Sequence, residues 1–167
     1  CDEAEIEHPN IYTEFGNFTV GESGATIFEV IGQKKQNDSE LWYMINGSLM
    51  TTLPDAWGLN QRFILLPINN WNQVYQRTII GGLSCDNSDY YNSEAQNQQL
   101  FLPTYKRDDK EPLYLGFFHT GAYQDALSGY GGIKHCLIPS PKHILVDRDE
   151  NGNIVDWIYS EEQSSRD

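Results

Sequence analysis

Gly82-Leu83-Ser84-Cys85-Asp86-Asn87-Ser88-Asp89 lies near the middle of the chain, with strand-like runs on both sides: residues 63–68 and 78–80 before it, residues 113–118 after it. A polar loop between β-type runs predicts a β scaffold that presents its binding groups on a loop. Cys85-Asp86 has two readings. One is a small buried Cys that ends a strand, followed by a turn of Asp, Asn and Ser. The other is a thiol acid beside a carboxylate that holds a cationic substrate end, with Asp89 as a second carboxylate three residues on. These eight residues alone favour the first reading, so the rest of the chain decides.

Upstream, residues 19–20 and 25–35 carry β-branched and aromatic residues, separated by Gly21-Glu22-Ser23-Gly24 as a turn. Residues 41–45 and 48–52 are strand-like on either side of Asn46-Gly47. Asn-Gly is the strongest two-residue hairpin signal because both central positions need positive φ, so a hairpin is expected there. Residues 53–58 break the strand pattern, since Pro54 cannot donate to a ladder. Residues 69–73 are a polar loop, and residues 74–80 alternate as another strand.

Downstream, residues 86–99 are rich in Asn, Gln, Ser and Tyr and form a loop longer than ordinary connections. Residues 100–102 follow. Residues 106–112 carry both signs of charge and read as an exposed turn, and residues 113–118 as a buried strand. Residues 121–127 suit one or two helical turns, and Tyr130-Gly131-Gly132 reads as a hinge. Residues 143–146 and 154–159 pair across Asp149-Glu150-Asn151-Gly152, a second Asn-Gly hairpin. There is no internal repeat. Short strands with turn signals at roughly 8–12-residue spacing predict an all-β fold: an antiparallel barrel or Greek-key sandwich with one or two short helical turns.

The 167 residues make one domain, long enough to bury a core. Asp and Glu number 24 against 11 Lys and Arg, a net charge of −13. That balance argues against nucleic acid and anionic membranes as partners, because both require clustered Lys and Arg. No apolar run approaches the roughly 20 residues that span a bilayer. Cys1-Asp2-Glu3-Ala4-Glu5 is acidic and does not read as a signal peptide. Residues 1–16 read as the end of a preceding unit, as though the chain were cut from something longer. Cys1, Cys85 and Cys136 are an odd count without framework spacing, which reads as free thiols in a reducing, cytoplasmic compartment. The sequons at Asn17 and Asn46 carry no weight without secretion.

Three motifs lead nowhere. Asp147 to Gly152 resembles the start of a calcium loop, but position 12 would be Ile158 where a bidentate Glu is required. His135, Cys136 and His143 do not supply four ligands at zinc spacing. There is no GxxxxGK and no GxSxG. No metal site and no nucleophile–base–carboxylate set is predicted.

Four stretches carry a resemblance. Thr13-Glu14-Phe15-Gly16-Asn17 is similar to a Glu-x-Gly-Arg segment. Residues 48–57, ending in Leu53-Pro54-Asp55-Ala56-Trp57, are similar to a Ser-Leu-Pro-Asp-Ala-Trp segment. Cys85-Asp86-Asn87-Ser88-Asp89 is similar to Cys-Asp-Ser-Asp, and residues 115–124, ending in Gly121-Ala122-Tyr123-Gln124, to a Gly-Ala-Tyr-Gln segment. In this order and spacing they resemble the C-terminal β domain of the fold type III pyridoxal-phosphate decarboxylases. That family includes the ornithine, diaminopimelate and arginine enzymes. The likeness covers most of residues 9–165, and the Leu-Pro-Asp-Ala-Trp segment points to the arginine branch.

The resemblance implies a division into residues 1–16 as the end of a cofactor-binding barrel, 17–160 as the β domain and 161–167 as a polar tail. It implies decarboxylation of L-arginine to agmatine and CO2 by the parent enzyme, in polyamine biosynthesis, with ornithine or another basic amino acid as the alternative substrate. A non-catalytic homologue or dimerisation module is the alternative of another class. Glu14 would pair with the pyridine nitrogen of pyridoxal 5'-phosphate, Gly16 would line the same segment, and Tyr123 would donate to the phosphate. Cys85 would act as the acid at the substrate α-carbon. Asp86, with Asp55 and Asp89, would hold the cationic end of the substrate. The implied partners are L-arginine, a second subunit in a homodimer or larger homo-oligomer, and the barrel of the same chain. Magnesium is an implied extra of the parent.

The residue types suit these roles. A guanidinium binds carboxylates in a bidentate fork, and a Cys of tuned pKa can protonate a carbanion. Asn17 stands where the family has Arg. The Schiff-base Lys, phosphate loop and ring-stacking His belong to the barrel, so this chain alone is expected to be inactive.

Overall fold

The strand that organises the molecule is set by alternation. Along Ala25–Lys35 the side chains of Phe28 and Val30 turn inward while Ala25, Ile27 and Ile31 face out, the period-two pattern of a half-buried strand. The computed structural model describes residues 1–106, 111–124, 127 and 135–164. In chain order its helices are α1 (Gly16–Val20), α2 (Leu49–Thr52) and α3 (Pro54–Gly58). The strands are β1 (Ala25–Lys35), β2 (Leu41–Ile45), β3 (Ile64–Pro67), β4 (Tyr75–Arg77), β5 (Ile79–Gly81), β6 (Tyr90–Tyr91), β7 (Phe101–Pro103), β8 (Tyr114–Phe118), β9 (His143–Arg148) and β10 (Ile154–Ser160).

Six strands form one curled, half-barrel sheet in the order β3-β8-β1-β2-β5-β6. β1 pairs antiparallel with β8 (Ala25 opposite Phe118) and with β2 (Lys35 opposite Leu41), and its register shifts between Val30 and Gly32. β4 and β7 make a two-stranded ribbon, and β9 and β10 a hairpin. The core gathers around Tyr43, Ile45, Phe63, Tyr91, Leu115 and Phe117. The two buried phenols are satisfied. Tyr43 Oη donates to the Pro103 carbonyl at 2.8 Å and accepts from Tyr105 N at 2.9 Å. Tyr91 Oη accepts from Phe63 N at 2.9 Å. Burial pushes both hydroxyls above the ordinary tyrosine pKa. Among the described residues no helix is long and apolar enough to cross a membrane.

The all-β expectation holds, with differences in detail. β2 and β5 pair parallel, where every pair was expected antiparallel; the segment between them, long enough to include α2, α3, β3 and β4, allows the crossover. The hairpin expected at Asn46-Gly47 does not form. Asn46 extends the β1 ladder instead: its N–H donates to Glu29 O at 3.0 Å, and its Oδ1 accepts from Glu29 N at 2.9 Å. Gly47 is not in the left-handed region. A Cβ there would lie 2.7 Å from the Phe28 ring, so core packing is what needs the glycine.

Residues 48–52, expected as a strand, turn into α2, because the Ser48 hydroxyl caps the helix by accepting from Thr51 N at 3.3 Å. Pro54 opens α3, where its missing N–H costs nothing. Thr19 and Val20, expected as strand, close α1, and the turn after them is a 3₁₀ turn, Gly21–Ser23. Residues 74–80 divide at Thr78, whose N–H donates to Leu100 O. The long polar loop includes β6. The second Asn-Gly hairpin forms as expected, β9 against β10 with Gly152 at φ 83°. The hinge expected at Tyr130-Gly131-Gly132 lies outside the described residues, as do 107–110 of the charged turn, 125–126 of the helical turns and 165–167 of the tail.

Candidate functional site

Asp89 holds the central loop. It is buried, and both of its oxygens accept from backbone: Oδ1 from Leu49 N at 2.8 Å and Met50 N at 3.3 Å, Oδ2 from Ser84 N at 2.9 Å. Its own backbone closes the loop, with Gly82 N donating to Asp89 O and Asp89 N to Asp86 O. Leu83 N donates to Gly47 O at 2.9 Å. The loop is thereby fastened to the start of α2, and the Asp89 carboxylate is committed to backbone donors.

Cys85 and Asp86 stand at the outer side of that frame. Asp86 is half-buried; its Oδ1 accepts from Ser88 N at 2.7 Å, an Asx-type turn that orients the carboxylate. Cys85 is exposed, and its Sγ lies 3.3 Å from the Sγ of Cys136. The Cys136 thiol beside it, and to a smaller extent the Asp86 charge, hold the Cys85 pKa above its ordinary value. A buried Cys ending a strand, the first reading of this stretch, is not what the chain builds: the thiol is on the surface of the loop.

Asp55 lies in the first turn of α3, buried. Gln124 reads it with both ends of its amide: Nε2 donates to Asp55 Oδ2 at 2.8 Å, and Oε1 accepts from Asp55 N at 3.3 Å. The same Nε2 also reaches Ala122 O at 3.2 Å. Two stretches 69 residues apart are joined by this one side chain.

Gly16 and Tyr123 meet as well, since a Cβ on Gly16 would lie 3.8 Å from Tyr123 Oη. The turn that carries Tyr123 is packed backbone to backbone on the end of α1. Thr120 N donates to Gly24 O and Gly121 N to Gly21 O, and a Cβ on Gly24 would stand 2.5 Å from Gly121 Cα. Tyr123 itself has φ 67° and stays exposed. A non-glycine residue in the left-handed region is sparse backbone geometry that the surroundings must hold. Glu14 is exposed and, among the described residues, has no hydrogen-bond or ion-pair partner.

The predicted residues are thus joined in steps. Asp89 fixes the Cys85-Asp86 loop to α2; α2 runs into α3 with Asp55; Gln124 ties Asp55 to the turn bearing Tyr123; Tyr123 faces Gly16. Glu14 is outside this chain of contacts. Sequence reasoning gave no role to Gln124, although it closes the Gly-Ala-Tyr-Gln stretch, and set Cys136 aside with the histidines. For Gln124 the signal was present. For Cys136 none was available, because its partner is 51 residues away. No group of three or more His, Cys, Asp or Glu side chains among the described residues could hold a metal ion, so no residue here is assigned to magnesium.

No family model matches the chain. It is 34% identical over 128 residues to the biosynthetic arginine decarboxylase of Marinobacter nauticus, covering 74% of this chain and 19% of that protein. It is 32% identical over 161 residues to the biosynthetic arginine decarboxylase of Pasteurella multocida, covering 92% of this chain and 24% of the relative. The crystal structure of the biosynthetic arginine decarboxylase of Campylobacter jejuni superposes with a TM-score of 0.59 at 31% identity, over 71% of this chain and 19% of that one. The chain therefore spans about a fifth to a quarter of the length of the curated relatives it matches. At this identity, and with most of its own length matched, the chain belongs to the biosynthetic arginine decarboxylase family.

Proposed function

We propose that the protein to which this chain belongs decarboxylates L-arginine to agmatine and CO2, and that this chain supplies the acid, the guanidinium-binding carboxylates and part of the phosphate site. The observation that carries the reading is the unbroken run of contacts from the Asp89-held loop through Asp55 and Gln124 to Tyr123. It connects a thiol, two acidic groups and a phenol, which are the groups a cationic amino acid and a phosphorylated cofactor require.

The residues fit pyridoxal 5'-phosphate at one place, where the bare Cα of Gly16 faces the Tyr123 hydroxyl and leaves a donor beside open space. Tyr123 would hold the phosphate there, and Glu14 the ring nitrogen. When bound, the cofactor supplies an electron sink for the pair left behind at the α-carbon. Cys85 delivers the proton to that carbon. Asp86 takes the guanidinium in a charge-assisted hydrogen bond. Asp55, held by Gln124, adds negative charge without being free to swing. Asp89 acts one step back, as the positioning residue of the loop. The remaining cofactor groups belong to a barrel outside this chain, and a second subunit in a homodimer would share the site. Three cysteines outside any disulfide suit a reducing cytoplasm.

Asn17 favours a second reading. It stands at the family's Arg position, and its Oδ1 folds back to 2.9 Å from where a Cβ on Gly21 would sit, which suits a non-catalytic homologue with a weakened phosphate site.

The test is ¹⁴CO2 release by the full-length protein, loaded with pyridoxal 5'-phosphate, from carboxyl-labelled arginine, ornithine, lysine and diaminopimelate in parallel. Release from arginine alone is expected. Release from one of the others instead overturns the substrate. No release from any, with no cofactor retained on gel filtration, establishes the second reading.

A further inference from the structure

The proposed decarboxylation uses Cys85 and leaves its neighbour unexplained. Cys136 is far away in sequence, yet the two Sγ atoms are 3.3 Å apart, and both cysteines are exposed and outside any disulfide. A disulfide bond is about 2.05 Å long, so closure needs roughly 1.3 Å of approach. Neither thiol sits on a strand that would resist it. Cys85 lies in a loop, and Cys136 in a 3₁₀ turn (His135–Leu137) where Cys136 and Leu137 have φ 55° and 53°. The loop side is held to α2 by Asp89, so Cys85 is kept at the site of contact and does not sample it at random.

We propose that Cys85 and Cys136 are an oxidation-sensitive pair that hydrogen peroxide joins in a disulfide and a thiol reductant reopens. In the first step one thiol, as thiolate, attacks the peroxide: an S–O bond forms, the O–O bond breaks and one water leaves, giving a sulfenic acid. In the second step the other thiol attacks that sulfur: the S–S bond forms, the S–O bond breaks and a second water leaves. The two sulfurs give up two electrons, the peroxide takes them, and both thiol protons end in water. The exposure of both thiols admits a small oxidant. The pair stands on geometry alone. Its consequence, loss of the α-carbon acid on oxidation, rests on the decarboxylase reading above.

The experiment uses the full-length protein, reduced, freed of reductant and treated with hydrogen peroxide. Remaining thiols are capped with N-ethylmaleimide, and the protein is digested without reduction and mapped by mass spectrometry, with ¹⁴CO2 release from arginine followed alongside. A peptide pair joining Cys85 to Cys136, two hydrogens lighter than the reduced peptides together and abolished by dithiothreitol, is expected. Cys136→Ser should give no such pair, and dithiothreitol should restore less of its activity after oxidation than it does in the wild type, because a Cys85 sulfenic acid with no partner thiol goes on to sulfinic acid. Full capping of Cys85 in oxidised wild type, or the same Cys85 products at the same rate in wild type and variant, overturns the pair. Active protein without the cross-link overturns the pair alone. A cross-link in protein that never decarboxylates establishes the pair and overturns the decarboxylase reading alone.

Discussion

Asp86 and Asp89 are the same residue type three positions apart, and burial gives them different work. Asp89 accepts three backbone N–H groups in the interior. Asp86 accepts one in a half-buried turn. Asp89→Ala strands those donors, and a buried polar group without a partner costs about 1–3 kcal/mol. Chemical denaturation of the full-length protein should show a loss of that order. Asp86→Ala should leave stability within about 0.5 kcal/mol and instead raise the KM for arginine roughly tenfold or more, the equivalent of a charge-assisted hydrogen bond worth about 1.5–3 kcal/mol. Equal stability losses in the two variants would dissolve the distinction. An unchanged KM would remove Asp86 from the substrate. In the sequence the two carboxylates carry one signal, which is why both read as substrate ligands. What separates them is the position of the α2 N–H groups, 40 residues upstream of Asp89.

The two Asn-Gly pairs make the same point for elements. At Asn151-Gly152 the signal is local and complete. Asp149 Oδ1 accepts from Asn151 N and Asn153 N, both at 2.8 Å; Asp149 Oδ2 accepts from Asn153 Nδ2; and Gly152 takes the positive φ. Every group that makes the turn is within five residues, so the hairpin was legible. At Asn46-Gly47 the same dipeptide is overruled by the Phe28 ring and the Glu29 backbone of β1, neither of which is near it in sequence. The parallel β2–β5 pair was hidden for the same reason, whereas the Ser48 cap and Pro54 were readable helix signals outweighed by the dipeptide.

The Asp149 turn is also pH-sensitive. Hydrogen bonds from the Asn153 side chain first, then from its backbone, depress the Asp149 pKa. A depressed folded-state carboxylate contributes stability that is present above its ordinary pKa and is lost as pH falls through the lower, folded value. NMR titration of the Asp149 carboxyl should therefore give a value below the ordinary carboxylate range, and Asn153→Ala should move it back up. An ordinary value in the wild type would remove the turn's pH dependence.

The β9–β10 hairpin shows what the whole molecule leaves open. Ile144, Val146, Ile154 and Ile158 lie on one face of the hairpin and Leu145, Val155 and Trp157 on the other, and all are exposed. A two-stranded hairpin is marginal by itself, and large apolar side chains exposed on both of its faces mark a surface that something else covers. The relatives are four to five times longer than the stretch this chain matches. We propose a further segment of the same polypeptide as the cover. Val146 tests this. It is 66% exposed here, so Val146→Asp on an uncovered hairpin should change the stability of the full-length protein by no more than about 0.5 kcal/mol. If the remainder of the chain packs on it, the substitution buries an unpaired carboxylate and should cost well over 1 kcal/mol. Thermal unfolding of the full-length variant separates the two. A lowered Tm that is independent of protein concentration places the cover within one subunit, because a cover supplied by a second copy would make the loss grow on dilution.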